Sequence, residues 1–284
     1  MSNAHDSAAD RPTLIFVHLP KAAGSTLRNV IVRQYPEAEQ IDFEARFAGS
    51  LERRLQQINA ERIARGRCFY GHMSYGLHRL LERPCQYITV LRDPADRLVS
   101  LYYFALTETK TQLYRRVIDE RMSLEEFAAC GVSPDIDNGQ TRQLSGLPDL
   151  YRFDEIAPCP PEALDAAIAN LEGLTAFGLA ERFDESVLLM QEALGWPDVR
   201  YFSDNVNYRR PRREPIPESA LGVIEARNHL DRRLYQHAVQ VFDARVAKRG
   251  EAFQAALRRF RFWNGLRCSW RARLNRIRQT LSPP

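Results

Sequence analysis

Lysine is scarce in this chain. Of 40 basic residues only Lys21, Lys110 and Lys248 are lysines, and the rest are arginines. Arginine presents a planar fork, whereas lysine presents a compact point charge. Lys21, inside the most motif-like segment, therefore marks a place where a point charge is wanted. Cysteine is sparse as well. Cys68, Cys85, Cys130, Cys159 and Cys268 are odd in number, widely spaced and contain no C-x-x-C pair. Neither a zinc site nor a disulfide framework is indicated, and reduced, mostly buried thiols are expected. No stretch approaches the roughly 18 apolar residues of a membrane span. Met1–Asp10 is polar and slightly acidic, without the basic start and apolar run of a signal peptide. These absences place the chain, as an expectation, in a reducing cytoplasm.

What is present is enough for one large α/β domain: 284 residues, 44% of them hydrophobic. The net charge of +4 hides an asymmetry. From Arg245 onward eleven Lys and Arg face one acid, Glu251, so the tail carries +10 and residues 1–244 carry −6. The basic character belongs to the tail and does not argue for nucleic acid as a partner. Phe253, Leu257, Phe260, Trp263, Leu266, Trp270, Leu274, Ile277 and Leu281 recur there at three- and four-residue steps, with arginines between them. This pattern predicts a basic amphipathic helix with a kink at Asn264-Gly265. Such a helix packs on its own domain or a partner subunit, or docks on an anionic membrane surface. The chain divides into a flexible N-terminus (1–11), a main domain (12–247) and the helical tail (248–284).

Along the main domain, apolar runs alternate with helical patterns. Strands are predicted at Thr13–His18, Arg67–His72, Gln86–Leu91 and Thr175–Leu179. Helices are predicted from Gly24, over Ser50–Arg65 as one polar exposed helix, after Pro94, after a Ser123/Glu126 capping box, from Pro161, and over Glu218–Val246. Asp135–Ser145 and Asp204–Pro217 read as loops. The alternation predicts an α/β fold: a P-loop-like open parallel sheet flanked by helices.

Ligands of such sheets bind beyond the carboxyl ends of the strands. Three of these ends carry chemistry. In His18-Leu19-Pro20-Lys21-Ala22-Ala23-Gly24-Ser25-Thr26, a strand, a tight loop and a helix start make a cradle for an anion. Backbone N–H groups and the Ser25 and Thr26 hydroxyls would donate to it. The order is not that of a Walker A loop, because Lys21 precedes Gly24 rather than following the second glycine. Leu91-Arg92-Asp93-Pro94 ends the third strand. Arg92 can grip a phosphate there, and Ser100, two turns into the next helix, can complete the shell. The plainer reading makes Asp93 a cap and Arg97 a solvated charge. His72 closes the second strand.

Together the two loops, in this order and about 70 residues apart, resemble the sulfotransferase superfamily. The resemblance implies that Lys21, Ala22, Ala23, Gly24, Ser25 and Thr26 hold the 5′-phosphosulfate of 3′-phosphoadenosine 5′-phosphosulfate (PAPS). It likewise implies that Arg92 and Ser100 hold its 3′-phosphate. Phe69-Tyr70-Gly71-His72-Met73-Ser74-Tyr75 is similar to the G-H-x-S-Y segment of the heparan sulfate 2-O-sulfotransferase-like branch, where the histidine is the catalytic base. The similarity continues through Asp137–Arg142, Leu144–Gly146, Phe177–Ser186 and Asn228–Tyr235, spanning about residues 12–245. Tyr70 stands where the heparan enzymes have a second histidine. The chain is also expected to lack their extra length and signal anchor.

The implied function is transfer of a sulfuryl group from PAPS to a hydroxyl, on a carbohydrate or glycolipid, without an obligatory metal. His72 would be the base and Lys21 the stabiliser of the leaving phosphate. Tyr70, Asn138 and Arg142 are expected to line the acceptor cleft, and His18 to pack beneath the loop. Two alternatives remain. A nucleotide-dependent kinase would need Mg²⁺ and a strand-end acid, and no apolar strand ends in a lone Asp. A non-catalytic nucleotide-binding adaptor would not need Lys21 and His72.

Overall fold

The structure, a computed structural model, describes residues 11–43, 50–131, 133–147, 157–202 and 216–281, with the backbone alone over 266–281. The first element, β1 (Thr13–Val17), is buried along its whole length. The chain then enters α1 (Gly24–Ile31), β2 (Gln40–Asp42), α2 (Leu51–Gln56), α3 (Ala60–Arg65) and β3 (Cys68–Gly71). Next come α4 (His78–Leu81), β4 (Cys85–Leu91), α5 (Pro94–Ala105), α6 (Gln112–Asp119), α7 (Leu124–Ala129) and α8 (Gly139–Ser145). The last are α9 (Ala163–Glu172), β5 (Ala176–Leu179), α10 (Phe183–Leu194), α11 (Glu218–Arg227), α12 (His229–Ala247) and α13 (Gly250–Leu281).

All pairings are parallel, in the order β2-β3-β1-β4-β5. A continuous apolar run suits β1 because both of its faces are covered. One face carries α1 and α10, through Leu27, Val30, Ile31, Val187 and Met190. The other carries α9 and α12, through Leu164, Ala167, Leu171, Leu234 and Phe242. A third apolar cluster joins α5, α6, α7 and α11. From β1 the chain leaves toward β2, and from β4 it leaves toward β5. The topological switch point, where parallel sheets open a crevice, therefore lies between β1 and β4. The loops after these two strands carry Lys21 and Arg92.

Several expectations are corrected. The three-residue β2 was not foreseen. Ser50–Arg65 is two helices, broken before Asn59, whose side chain caps α3. Glu218–Val246 is also two, broken at Asn228, whose amide donates to the Ile136 and Ile224 carbonyls. The predicted loop Asp135–Ser145 contains α8, a buried helix. The tail helix runs through Asn264 without a break. Asn264 is 6% exposed and accepts from the Tyr201 N–H at 3.0 Å. Phe253 and Leu257 are buried on the tail's own domain, while Phe262 and Trp263 are exposed. The expected loop from Asp204, and the side chains of Leu266, Trp270, Leu274, Ile277 and Leu281, fall outside the described residues. No described helix is long and apolar enough to cross a membrane.

Candidate active site

The loop after β1 is strained where it matters. Lys21 and Ala23 adopt φ of 65° and 62°, the left-handed region that non-glycine residues avoid. This winding starts α1 without a side-chain cap or an acidic residue in the first turn. The N–H groups of Ala23, Gly24 and Ser25 have no acceptor among the described residues. A helix start with orphan donors and positive dipole potential attracts an anion. Gly24 is required at its position, since a Cβ there would lie 1.9 Å from Cδ2 of His18. Ala22 is buried in the core, Thr26 is buried, and Ser25 is partly exposed. The Lys21 ammonium lies 3.9 Å above the Phe104 ring. Burial, and then the Arg92 charge, lower its pKa to about 8.

The loop after β4 is tied to the first: Arg92 donates to the Lys21 carbonyl at 3.0 Å. Its backbone is gripped by Gln140, fully buried on α8, which accepts from Arg92 N–H and donates to Arg92 C=O, both at 2.9 Å. Glu181 accepts from Asp93 N–H at 3.0 Å and from the Tyr235 hydroxyl at 2.7 Å. Its carboxylate also lies 4.0 Å from Arg92 Nε. Asp93 caps α5 by accepting from Ala95 and Asp96. Arg97, by contrast, is not a solvated charge. It is 1% exposed, donates to the Asp135 carbonyl, and lies 3.6 Å from Asp231, which is fully buried. Ser100 sits partly exposed on α5.

His72 follows Gly71, whose φ of 142° turns the chain out of β3. Its Nδ1 lies 2.9 Å from the His18 carbonyl. A carbonyl can only accept, so Nδ1 is the donor, and in the neutral imidazole this leaves the lone pair on Nε2. The two imidazoles stack with centroids 4.3 Å apart. Arg54, fully buried on α2, donates to the His72 carbonyl at 2.8 Å and also to the Phe43 carbonyl. Behind the loop, Tyr75 N–H donates to the Gln143 carbonyl at 2.7 Å. The Asp135 carboxyl is pushed up by burial, against the opposing charge of Arg97.

The expected acceptor-site residues lie deeper. Tyr70 is 5% exposed, beneath the Arg28 guanidinium, which stands 5.0 Å from its ring centroid. Burial is the main cause that raises its phenol pKa. Arg142 donates to the Asp137 carbonyl and carboxylate and to the Ala157 carbonyl. Asn138 accepts from the N–H groups of Leu230 and Asp231 at 2.8 and 3.1 Å. Asp231 in turn accepts from Gln140 and Thr141 at 3.1 and 2.7 Å. Each of α8 and α12 thus caps the other's first turn. The structure brings Lys21 and Arg92 together at the switch point, and joins His72 to the cradle through His18. It bonds Asn138 and Arg142 to the scaffold. Gln140, Glu181 and Asp231 lie in the segments of resemblance but had no role assigned from sequence, and Arg54 lies outside those segments, since nothing within a few residues of any of them signals its partners. Among the described residues no three His, Cys, Asp or Glu side chains cluster as metal ligands.

Mouse galactose-3-O-sulfotransferase 3 is 27% identical over 270 residues, covering 86% of this chain and 59% of that protein. Bovine galactosylceramide sulfotransferase is 30% identical over 264 residues, with the same coverage of 86% and 59%. Chicken heparan-sulfate 6-O-sulfotransferase 2 is 28% identical over 184 residues, covering 57% and 45%. The chain thus spans 59% of the length of the first two relatives. The resemblance to the heparan sulfate 2-O branch holds only at the coarser level of carbohydrate sulfotransferases. A model of the galactose-3-O-sulfotransferase family matches residues 2–265, nearly the whole chain, and the chain belongs to that family.

Proposed function

We propose that this chain transfers a sulfuryl group from PAPS to a hydroxyl of a galactose-bearing glycan or glycolipid, with His72 as general base. The observation that carries the reading is the hydrogen bond from His72 Nδ1 to the His18 carbonyl. It sets the tautomer in which Nε2 can accept a proton, next to a cradle of unaccepted N–H groups. The residues present suit a polyanion: three orphan amides, the Lys21 ammonium and the Arg92 guanidinium converge at one switch point. PAPS supplies the sulfuryl group, whose bond to the 5′-phosphate breaks as the acceptor oxygen bonds to sulfur. His72 Nε2 takes the hydroxyl proton as that bond forms. Lys21 and the amides of Ala23, Gly24 and Ser25 stabilise the charge that collects on the leaving phosphate. Arg92, with Ser100, holds the 3′-phosphate. The galactose acceptor rests on what the relatives are named for.

The test is turnover with PAPS in EDTA-containing buffer, against galactosylceramide, lactose, N-acetyllactosamine and heparan sulfate, with mass spectrometry of the products. A galactoside product is expected. His72→Ala is expected to lower kcat about 10²–10⁴-fold, the usual worth of a general base, with adenosine 3′,5′-bisphosphate affinity unchanged. Wild-type turnover by His72→Ala would defeat the base assignment.

A further inference from the structure

His18 was expected only to fill space beneath the loop. Its surroundings are more specific. The side chain is 6% exposed at the end of β1, and its backbone N–H donates to the Gly71 carbonyl at 3.0 Å. One edge of its ring presses on the first residue of α1, so closely that only a glycine fits at position 24. Two other rings stack on it. Phe16 stacks on it with centroids 5.4 Å apart and planes 16° apart. His72 stacks on it at 4.3 Å with planes 27° apart. Its own carbonyl holds His72 Nδ1. Its Nδ1 is buried without a partner among the described residues. A buried polar atom left unsatisfied opposes folding, so packing alone would be served better by an apolar ring. Burial first, with the nearby Arg28 and Lys21 charges adding to it, holds the His18 pKa well below the ordinary imidazole value. Burial thus favours the neutral ring.

We propose that His18 is a positioning residue that couples the donor cradle to the base, its ring wedged between Gly24 at the start of α1 and the imidazole of His72. Anything that shifts the first turn of α1 presses on the ring on which His72 stacks. An anion seated on the Gly24 and Ser25 amides would therefore be felt by His72 through one rigid aromatic plate. Pre-organisation of this kind acts on kcat more than on binding, because a misplacement of about 1 Å in a reacting group can cost about 10²-fold in rate.

The inference rests on the reading of His72 as base, but one of its tests needs no turnover. Ring ¹⁵N spectra of His72 are to be recorded in the full chain, with and without adenosine 3′,5′-bisphosphate, for wild type, His18→Ala and His18→Phe. Wild type and His18→Phe are expected to show protonated Nδ1 and an Nε2 resonance that shifts when the bisphosphate binds. His18→Ala is expected to show mixed tautomers and to lose that shift. In turnover, His18→Ala should lower kcat about 10²-fold with little change in KM for the donor, and His18→Phe should recover most of the loss by restoring the plate. A purely structural role would lower melting temperature without altering the tautomer. Wild-type spectra and kcat in His18→Ala would overturn the proposal, as would a His18→Phe variant that folds but matches His18→Ala in both readouts. If His18→Ala does not fold, His18→Phe and its ligand-induced Nε2 shift decide. Failure of the base assignment appears separately, as undiminished turnover in His72→Ala.

Discussion

With Lys21 at the donor site, as proposed, its charge would tie donor binding to pH. Its ammonium has a pKa lowered from 10.5 to about 8, first by burial and then by the Arg92 guanidinium. The depression has two consequences of opposite sign. Between pH 8 and 10.5 the unfolded chain keeps this proton while the native chain has lost it, so stability rises with pH across that window. The contribution is fully present above 10.5 and is lost as pH falls through about 8. Its ceiling is roughly 3–4 kcal/mol, at about 1.36 kcal/mol per pKa unit, and solvent screening reduces it. Binding runs the other way. A bisphosphate against Lys21 favours the ammonium, so the complex takes up a proton when it forms above pH 7. Near pH 8 the uptake should be roughly half a proton, and at higher pH affinity should fall by up to about tenfold per unit. The ligand's own phosphates are past their second ionisation, near pKa ~6, and do not blur the slope. Calorimetry of adenosine 3′,5′-bisphosphate between pH 7 and 9.5, in buffers of different ionisation enthalpy, reads both quantities. Lys21→Met should remove the slope and the proton uptake together. A flat affinity with no proton uptake in wild type would refute the placement of this ammonium at the bound anion.

Two further predictions concern the scaffold. Asp231→Ala leaves the buried Arg97 without its counter-charge and uncaps α8, so urea titration should show a loss of about 3–5 kcal/mol; a change within about 0.5 kcal/mol, the range of inert surface substitutions, would break the argument. A chain ending at Gly250 loses the buried Phe253 and Leu257, each worth roughly 1.5–3 kcal/mol, and should melt lower. Trp263→Ala, at a ring 57% exposed, is the control that should leave melting unchanged.

Elements whose determinants lie within a few residues were legible in the sequence. The run Thr13–Val17 is apolar and β-branched, stopped by Pro20 and followed by Gly24, and it is the central strand. Ser123 and Glu126 form the capping box that their spacing announces. Asp93 caps and Pro94 opens α5. The cradle and the two strand ends at the switch point follow from the same local rules, because turns, caps and helix starts are short-range structures.

Tertiary structure alone decided the rest. Gln40–Asp42 is a strand only because its backbone finds β3 in register at Gln40↔Cys68. Gly139–Ser145 reads as a loop because its residues are polar, but its first amides are capped by Asp231, some ninety residues away. Arg54 looks like one more charge on a solvated helix, and is fully buried because the carbonyls of Phe43 and His72 receive its donors. A polar side chain is read from sequence as exposed, since burying it unpaired is costly. When its partner is distant in the chain that cost vanishes, and only the folded arrangement shows where the side chain went. His18 marks the boundary. The sequence placed it at the end of a strand beneath a loop. Only the approach of β3 to β1 put His72 on its ring.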